Sequence, residues 1–252
     1  MPTKHSPARS GTRVVRLAAL SVLLISACSV ASGEPERSAD PAAPASDETI
    51  VPPATAGELQ ARVEGLGEEQ TSAPDDLLLI GDSVLVLVAD DLARRLSSTV
   101  YVDAADCRRI DMAVSGSCGG VPAGATVTDG ISAIETNMVA LASVGTVPDV
   151  AVIVLANNSS LRRSDLDAAM RALEPVERVW WVNTRIDGFG RQDPNNRLLD
   201  ELARDDDRAM VVDWYEASED KDWLADHVHP NDAGQRAMAA LIARHISCDC
   251  IP

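Results

Sequence analysis

The chain has 252 residues, 46% of them apolar and 24% charged, which is enough for one domain with a sizeable core and additional segments. The 39 acidic residues outnumber the 22 basic ones, and the net charge of -17 argues against nucleic acid or an anionic lipid surface as a partner. Charge does not determine the fold, so the fold class has to come from the pattern of apolar and polar residues.

The first 27 residues have the organisation of a secretory signal peptide. A segment with four basic residues and no acidic one precedes an apolar run at residues 17–27. That run is too short to span a bilayer, for which a helix needs about 20 residues. It ends in Ile-Ser-Ala followed by Cys28, which resembles the lipobox of bacterial lipoproteins; the alternative is an ordinary cleavage site with an incidental Cys28. We expect lipidation of Cys28 and a place on the extracytoplasmic face of the bacterial membrane.

Residues 28–72 are expected to be a disordered tether. They are rich in Ala, Pro, Ser, Thr and acidic residues, and they show no hydrophobic periodicity and no aromatic residue. Such a tether separates a membrane anchor from a globular domain, which we place at residues 73–252.

From residue 73 onward, strand-like apolar runs alternate with helical patterns. The predicted strands span residues 75–83, 98–105, 149–158, 178–186 and 209–217. The predicted helices span residues 84–96, 127–145, 163–174, 193–205 and 230–246, with Thr128 and Ser164 as N-caps. This alternation predicts an α/β fold, a three-layer α/β/α sandwich around a five-stranded parallel sheet.

The five cysteines become informative if the protein is secreted. With Cys28 lipidated, four remain, and an even number in an oxidising compartment indicates disulfides. These four allow three pairings: Cys107, Cys118, Cys248 and Cys250. A Cys107–Cys118 bond closes a short loop and is the favoured pairing, which leaves the other two either bonded to each other or free.

The first predicted strand is interrupted at Gly81-Asp82-Ser83, and Ser83 is either a turn residue or a nucleophile. A serine hydroxyl reacts only when a base takes its proton, and histidine is the usual base near neutral pH. Among the histidines after the leader, His229 stands out because Asp226 precedes it by three residues. On a loop, this spacing lets the carboxylate orient the imidazole.

These residues together resemble the SGNH (GDSL-type) hydrolase superfamily over about residues 73–246. The resemblance rests on Gly81-Asp82-Ser83, on Asn158 after the third strand, and on Asp226-x-x-His229-Pro230-Asn231, about 145 residues after the first motif. The segment VDAADCR at residues 102–108 is similar to SGNH domains associated with cell-surface acyltransferases.

The resemblance implies a flavodoxin-like strand order and ester hydrolysis or acyl transfer without a metal or cofactor. It assigns Ser83 as nucleophile, His229 as base and Asp226 as the third triad member. The oxyanion donors implied are the Ser83 N–H, the Asn158 side-chain amide, for which Asn157 competes, and a backbone N–H that the family takes from a glycine. At that position this chain has Cys107, which a disulfide to Cys118 would hold in place.

A second departure from the family pattern is Ala156, which stands where a glycine usually precedes the asparagine by two residues. Two further residues are candidate substrate contacts. Arg108 is either a solvated loop residue or a contact for a substrate carboxylate or glycan. Trp223, which stands beside the proposed base, is a candidate for the wall of an acyl or sugar pocket.

Three functions therefore compete. The first is an extracytoplasmic serine esterase that removes short acyl groups from a cell-envelope glycan or a small ester. The second is an acyltransferase accessory that passes the same acyl group to a sugar hydroxyl. The third is a binding lipoprotein that retains the fold without catalysis. The oligomeric state does not follow from the sequence.

Overall fold

The computed structural model describes residues 14–16, 74–116, 118, 121–122 and 124–247. Within these ranges the main sheet has six parallel strands: β1 (Val14–Arg16), β2 (Asp76–Gly81), β3 (Thr99–Ala104), β6 (Val150–Val154), β7 (Arg178–Val182) and β8 (Ala209–Val212). A separate antiparallel pair consists of β4 (Val114–Ser115) and β5 (Thr126–Val127). The helices in the described ranges are α1 (Ser83–Arg95), α2 (Gly130–Ser143), α3 (Arg163–Ala172), α4 (Gln192–Asp205), α5 (Trp214–Ser218) and α6 (Asp232–Ser247).

The sheet order β1-β3-β2-β6-β7-β8 confirms the five predicted strands and their flavodoxin-like arrangement. The additional strand β1 pairs with β3 at the edge and comes from the leader region, where the sequence predicted no strand. The remaining leader residues, the tether, Cys28, Cys248 and Cys250 lie outside the described residues, so the predictions about them stay predictions.

Two apolar cores lie on opposite faces of the sheet and account for the three layers. Residues alternate along β2, so that Leu77 and Leu79 face one core while Leu78 and Ile80 face the other. The first core contains the apolar sides of α1 and α6, and the second those of α2, α3 and α4. Strand β6 is buried along its whole length, as its uninterrupted sequence VAVIV predicts.

Several element boundaries differ from the sequence predictions because acidic side chains cap the helices. The N-cap of α2 is Asp129, whose carboxylate accepts from the Ser132 N–H, and Thr128 is not the cap. Ser164 lies inside α3 rather than capping it. The last predicted strand ends at residue 212, because Asp213 caps the short helix α5. No described helix is both long enough and apolar enough to cross a membrane.

Candidate active site

The topology of the sheet brings three loops together. Strand β2 lies between β3 and β6. The chain runs from β2 to β3 on one side of it, and later returns to form β6 on the other side. All three strands are parallel, so their carboxyl ends meet at one edge. Ser83 follows the end of β2, Cys107 follows that of β3, and Asn158 follows that of β6.

The Gly81-Asp82-Ser83 motif forms a tight transition from strand to helix. Asp82 caps α1, because its carboxylate oxygen Oδ1 accepts from the Val84 N–H at 3.0 Å. Gly81 has no room for a side chain, since a Cβ atom there would overlap the side chain of Leu85 in the first turn of α1. The turn leaves Ser83 half-buried at the start of the helix, with its hydroxyl directed at His229.

Ser83, His229 and Asp226 form a continuous hydrogen-bonded chain. The Ser83 Oγ lies 2.9 Å from His229 Nε2, and His229 Nδ1 lies 2.8 Å from the Asp226 carboxylate oxygen Oδ2. The other carboxylate oxygen of Asp226 accepts from the backbone N–H groups of Val228 and His229, both at 2.7 Å. This is the arrangement of a serine-hydrolase triad.

The charge on Asp226 determines which imidazole nitrogen of His229 carries the proton. Partial burial acts to raise the pKa of Asp226, but the hydrogen bonds from His229 and Val228 outweigh it and lower the pKa to about 2. The carboxylate is therefore ionised near neutral pH and accepts the Nδ1 proton of the imidazole. That leaves Nε2 as the acceptor for the Ser83 hydroxyl proton.

The loop that carries His229 is held by its own backbone. The Ala225 N–H donates to the His229 carbonyl at 2.8 Å, and the Asn231 N–H donates to the Trp223 carbonyl at 2.9 Å. The side-chain oxygen of Asn231 accepts from two N–H groups in the first turn of α6, at 3.0 Å each. Asn231 thus caps α6, which begins at Asp232 rather than at residue 230, and Pro230 lies before the cap in an isolated bridge with Leu224.

Behind Ser83 lies a buried polar network that the sequence analysis did not assign to the site. The Asp82 carboxylate accepts from the Asn157 amide at 2.9 Å, and the Thr184 hydroxyl donates to the Asn157 side-chain oxygen. Burial raises the pKa of Asp82 to about 6, although the hydrogen bonds from Asn157 and Val84 and the attraction of His229 oppose the rise. From sequence alone, an Asp directly before a helix indicates an N-cap. The burial of Asp82 depends on residues far away in the sequence, Asn157 and Thr184, so no local pattern indicates it.

We expect this burial to appear in the pH dependence of stability. The folded carboxyl stays protonated up to about pH 6, whereas the unfolded one ionises near its ordinary value of 3.8. The contribution of Asp82 to the free energy of unfolding is therefore complete below pH 3.8 and falls by about 2 to 3 kcal/mol as the pH rises to 6. Asp82→Asn removes this component, because its amide does not ionise.

Urea denaturation of both proteins between pH 4 and 7 measures the effect. As the pH rises, the unfolding free energy of Asp82→Asn should increase relative to that of the unmodified protein. Parallel pH profiles for the two proteins would contradict the raised pKa of Asp82.

The region expected to form the oxyanion hole contains Cys107 and Asn158. Cys107 adopts a left-handed backbone conformation with φ of 61° and forms a disulfide with Cys118, as predicted. The Asn158 amide donates to the Arg108 carbonyl at 3.1 Å, which places it against the loop of Cys107. Asn157 does not compete for this place, because both ends of its amide are used in the buried Asp82 network.

The prediction that Arg108 contacts substrate is wrong. Its side chain is buried, and its guanidinium donates to the carbonyls of Gly81, Asp103 and Thr128. It also forms a 2.7 Å ion pair with the Asp103 carboxylate. Arg108 thus ties the ends of β2 and β3 to the start of α2, and its burial keeps the guanidinium away from a bound ligand.

Trp223 is half-buried, and the prediction that it lines a substrate pocket stays a prediction. Its ring stacks on the buried ring of Trp214, with 5.8 Å between centroids, and it packs against the core that contains α1 and α6. Its carbonyl accepts from Asn231 and closely approaches Gly234. Trp223 therefore supports the loop of His229 from the side of the core.

A groove of about 560 Å³ opens beside His229, between α1 and the start of α6. Its wall includes Leu87, Ala225 and Pro230. Leu87 follows Ser83 by four residues on α1 and so lies on the same side of the helix, where it is 39% exposed. The imidazole is thus reached through an open and partly apolar approach.

The loop after β7 borders the histidine loop on another side. The Asp187 N–H donates to the His227 carbonyl at 2.8 Å, and the Phe189 ring meets the His227 ring edge to face at 6.5 Å. Arg191 lies 4.7 Å from the centre of the Phe189 ring and donates to the Asn157 carbonyl. No motif pointed to these residues, since their proximity depends on the strand order.

The arrangement can perform nucleophilic chemistry at an ester carbonyl. An ionised carboxylate orients the imidazole, the imidazole accepts from the hydroxyl, and the Asn158 amide joins the loops after β3 and β6 at the same edge of the sheet. In the described part of the chain, no group of three or more His, Cys, Asp or Glu side chains is arranged to hold a metal ion.

No protein-family model and no curated protein matches this chain. Solved structures of similar fold include the C-terminal catalytic domain of the Streptococcus pneumoniae peptidoglycan O-acetyltransferase A with a methylsulfonyl adduct. It is 18% identical, with a TM-score of 0.47 over 68% of this chain and 92% of that one. A member of the lipolytic G-D-S-L family from Veillonella parvula DSM 2008 is 16% identical, with a TM-score of 0.49 over 67% and 96%. TesA is 15% identical, with a TM-score of 0.48 over 66% and 95%, and the chain is similar to all three in fold.

Proposed function

We propose that this protein is an extracytoplasmic serine esterase of the SGNH hydrolase type that cleaves short acyl esters. Its substrate class is an O-acyl group on a cell-envelope glycan or on a small ester. The observation that supports this best is the distance of 2.9 Å between Ser83 Oγ and His229 Nε2, with the ionised Asp226 on the other imidazole nitrogen.

In the first half of the reaction the Ser83 Oγ attacks the ester carbonyl carbon while its proton moves to His229 Nε2. The carbonyl oxygen becomes an oxyanion, and Asp226 stabilises the imidazolium formed beside it. The carbonyl re-forms when the bond to the alcohol oxygen breaks, and the imidazolium gives its proton to the departing oxygen. The products are a free alcohol and an acyl group on Ser83.

In the second half, water takes the place of the alcohol. His229 accepts a proton from this water as its oxygen attacks the acyl carbon, and then returns a proton to Ser83 Oγ as the acid leaves. Because His229 protonates the leaving oxygen, the alcohol part of the substrate lies on the side of the imidazole. The open groove between α1 and α6 has the position that this alcohol requires.

The oxyanion is bound by the N–H groups of Ser83 and Cys107 and by the Asn158 amide. The Ser83 N–H is at the start of α1, where helical N–H groups lack partners within the helix. The Asn158 amide donates one hydrogen to the Arg108 carbonyl, and its second hydrogen is the donor assigned to the oxyanion.

We expect Asn158→Ala to lower kcat by roughly 100- to 1000-fold, with a small change in KM, because the donor acts on charge that develops in the transition state. The matched variant is Asn157→Ala, whose amide faces the buried Asp82. Its main effect should be on thermal stability. Steady-state hydrolysis of p-nitrophenyl acetate and thermal unfolding measure both. A larger loss of kcat in Asn157→Ala than in Asn158→Ala would reverse the assignment.

The proposed location is the outer face of the bacterial membrane, with a lipid on Cys28. Two observations support it: the leader with its terminal cysteine, and the disulfide between Cys107 and Cys118, which persists in oxidising compartments. Cell fractionation with a tagged chain tests this location, and recovery of the protein in the cytosol would contradict it.

Acyl transfer is the second candidate, because the same acyl-enzyme reacts with whichever hydroxyl reaches it. The half-buried Ser83 and the open groove at His229 leave access for a sugar hydroxyl in place of water. Turnover of p-nitrophenyl acetate, with and without an added oligosaccharide, separates the candidates. Release of acetate alone indicates hydrolysis, and acetylated oligosaccharide indicates transfer. Absence of turnover in both assays, together with an unreactive Ser83, would contradict both functions.

A further inference from the structure

The loop after β3 has an unusual backbone at the position proposed to bind the oxyanion. Cys107 is the one non-glycine residue with positive φ in the described part of the chain, at 61°. An L-residue in this left-handed region is disfavoured by contacts of its Cβ atom, whereas glycine adopts it freely. A cysteine at this place therefore needs an external restraint that a glycine would not need.

The structure contains such a restraint in the bond from Cys107 to Cys118. The neighbouring residue Arg108 is anchored by its buried guanidinium, and its N–H donates to the Ala105 carbonyl at 3.3 Å. The Arg108 N–H bond to Ala105 closes a turn with Asp106 and Cys107 at its two central positions, so it constrains the φ torsion of residue 107 through one hydrogen bond, whereas the disulfide acts through covalent bonds. The disulfide is attached to the Cβ atom of that residue, so it restrains its orientation directly.

Cys118 belongs to a segment that is itself anchored. The Cys118 carbonyl accepts from the Val121 N–H at 2.9 Å, and the segment lies between the paired strands β4 and β5. After β5, the Thr128 carbonyl accepts from the Arg108 side chain at 3.1 Å. The disulfide thus joins the oxyanion loop to a second loop that returns to the same arginine.

We propose that the Cys107–Cys118 disulfide is a positioning element of the oxyanion hole, which holds the Cys107 N–H toward the oxyanion, so that kcat depends on its redox state. This inference rests on the proposed function, since it concerns the same acyl-transfer chemistry. A dithiol supplies the two electrons and two protons that convert the disulfide into two thiols, and is itself oxidised to a disulfide. Cys118, which takes no part in the chemistry, is then a positioning residue.

The test uses the full chain with Cys248→Ser and Cys250→Ser as the parent protein, so that the other domain cysteines do not respond to reductant. Three variants are added to this parent: Cys118→Ser, Cys107→Gly/Cys118→Ser and Cys107→Ala/Cys118→Ser. All three lack the disulfide, and they differ in the ease with which residue 107 adopts positive φ. Hydrolysis of p-nitrophenyl acetate is measured with and without dithiothreitol, and circular dichroism verifies that each protein is folded.

We expect Cys118→Ser, and the parent after reduction, to lose about 5- to 30-fold in kcat with little change in KM. This fold-change corresponds to the free-energy cost of the left-handed conformation for an L-residue. The alanine variant should be as slow as Cys118→Ser. The glycine variant should recover most of the parental kcat and not respond to dithiothreitol. A disulfide that contributes only to global stability would not separate glycine from alanine in this way.

Two outcomes would overturn the inference: a parental kcat in Cys118→Ser, or equal kcat values in the glycine and alanine variants. Failure of the proposed function looks different. In that case the oxidised parent itself shows no turnover, before any cysteine of the loop is changed.

Discussion

Ser83→Ala is expected to abolish esterase activity and covalent labelling without unfolding the protein. The hydroxyl is the atom that forms the acyl-enzyme, and its removal should lower kcat by roughly 10,000-fold or more. Fold and stability should change little, because Ser83 is half-buried, Asp82 rather than Ser83 caps the helix, and alanine favours the helical conformation. Steady-state hydrolysis of p-nitrophenyl acetate and thermal unfolding measure the two properties.

A fluorophosphonate probe tests the same residue without knowledge of the substrate. It reacts with a serine only when a neighbouring base activates the hydroxyl, and mass spectrometry identifies the modified residue. We expect one adduct on Ser83, and none in the alanine variant. The matched control is Ser97→Ala, an exposed serine in the loop after α1, which should label and hydrolyse as the unmodified protein does.

Retention of hydrolysis in Ser83→Ala would show that another group performs the chemistry. Absence of both labelling and hydrolysis in the unmodified protein, with the fold intact, would favour the binding lipoprotein among the three functions. The experiment therefore separates catalysis from binding, which the fold alone does not do.

The layers of the fold were predictable because they follow from local patterns. Strand β6 is an uninterrupted apolar run, and Leu77 to Ile80 of β2 are buried on both faces, so the sequence indicated a covered parallel sheet. The short antiparallel pair β4–β5 was missed, because two-residue strands carry no alternation that a sequence pattern could reveal. The sequence prediction extended the last strand to residue 217, because the Trp and Tyr that follow Asp213 favour strands. In the structure the strand ends at residue 212, and Asp213 caps a helix there.

Single residues were harder to assign than elements, because their roles depend on contacts across the sheet. Arg108 was expected to face substrate, yet three carbonyls from different segments surround its guanidinium. Asn157 and Asn158 are adjacent in sequence, yet Asn157 donates to the buried Asp82 and Asn158 donates to the Arg108 carbonyl. The sequence does not indicate which of the two faces Asp82. The Asp226-x-x-His229 spacing was informative from sequence, because its hydrogen bonds close within one short loop.

His229→Ala is the second change expected to have a large effect, because it removes the group that moves every proton in the proposed reaction. Loss of a positioned base within a triad should lower kcat by at least about 1000-fold, and fluorophosphonate labelling of Ser83 should slow in parallel. The backbone bonds of the loop, including the one from the Ala225 N–H to the carbonyl of residue 229, do not need the imidazole, so the loop should keep its conformation.

The matched control for this change is His227→Ala, two residues earlier on the same loop. The His227 ring is exposed and meets the Phe189 ring rather than Ser83, and its carbonyl bond to the Asp187 N–H survives the substitution. We therefore expect His227→Ala to hydrolyse p-nitrophenyl acetate at close to the unmodified rate. Similar losses in the two variants would indicate that a change in the loop, rather than the missing base, causes the defect. Full activity in His229→Ala would refute the assigned base, because the hydroxyl of Ser83 has its imidazole contact with His229.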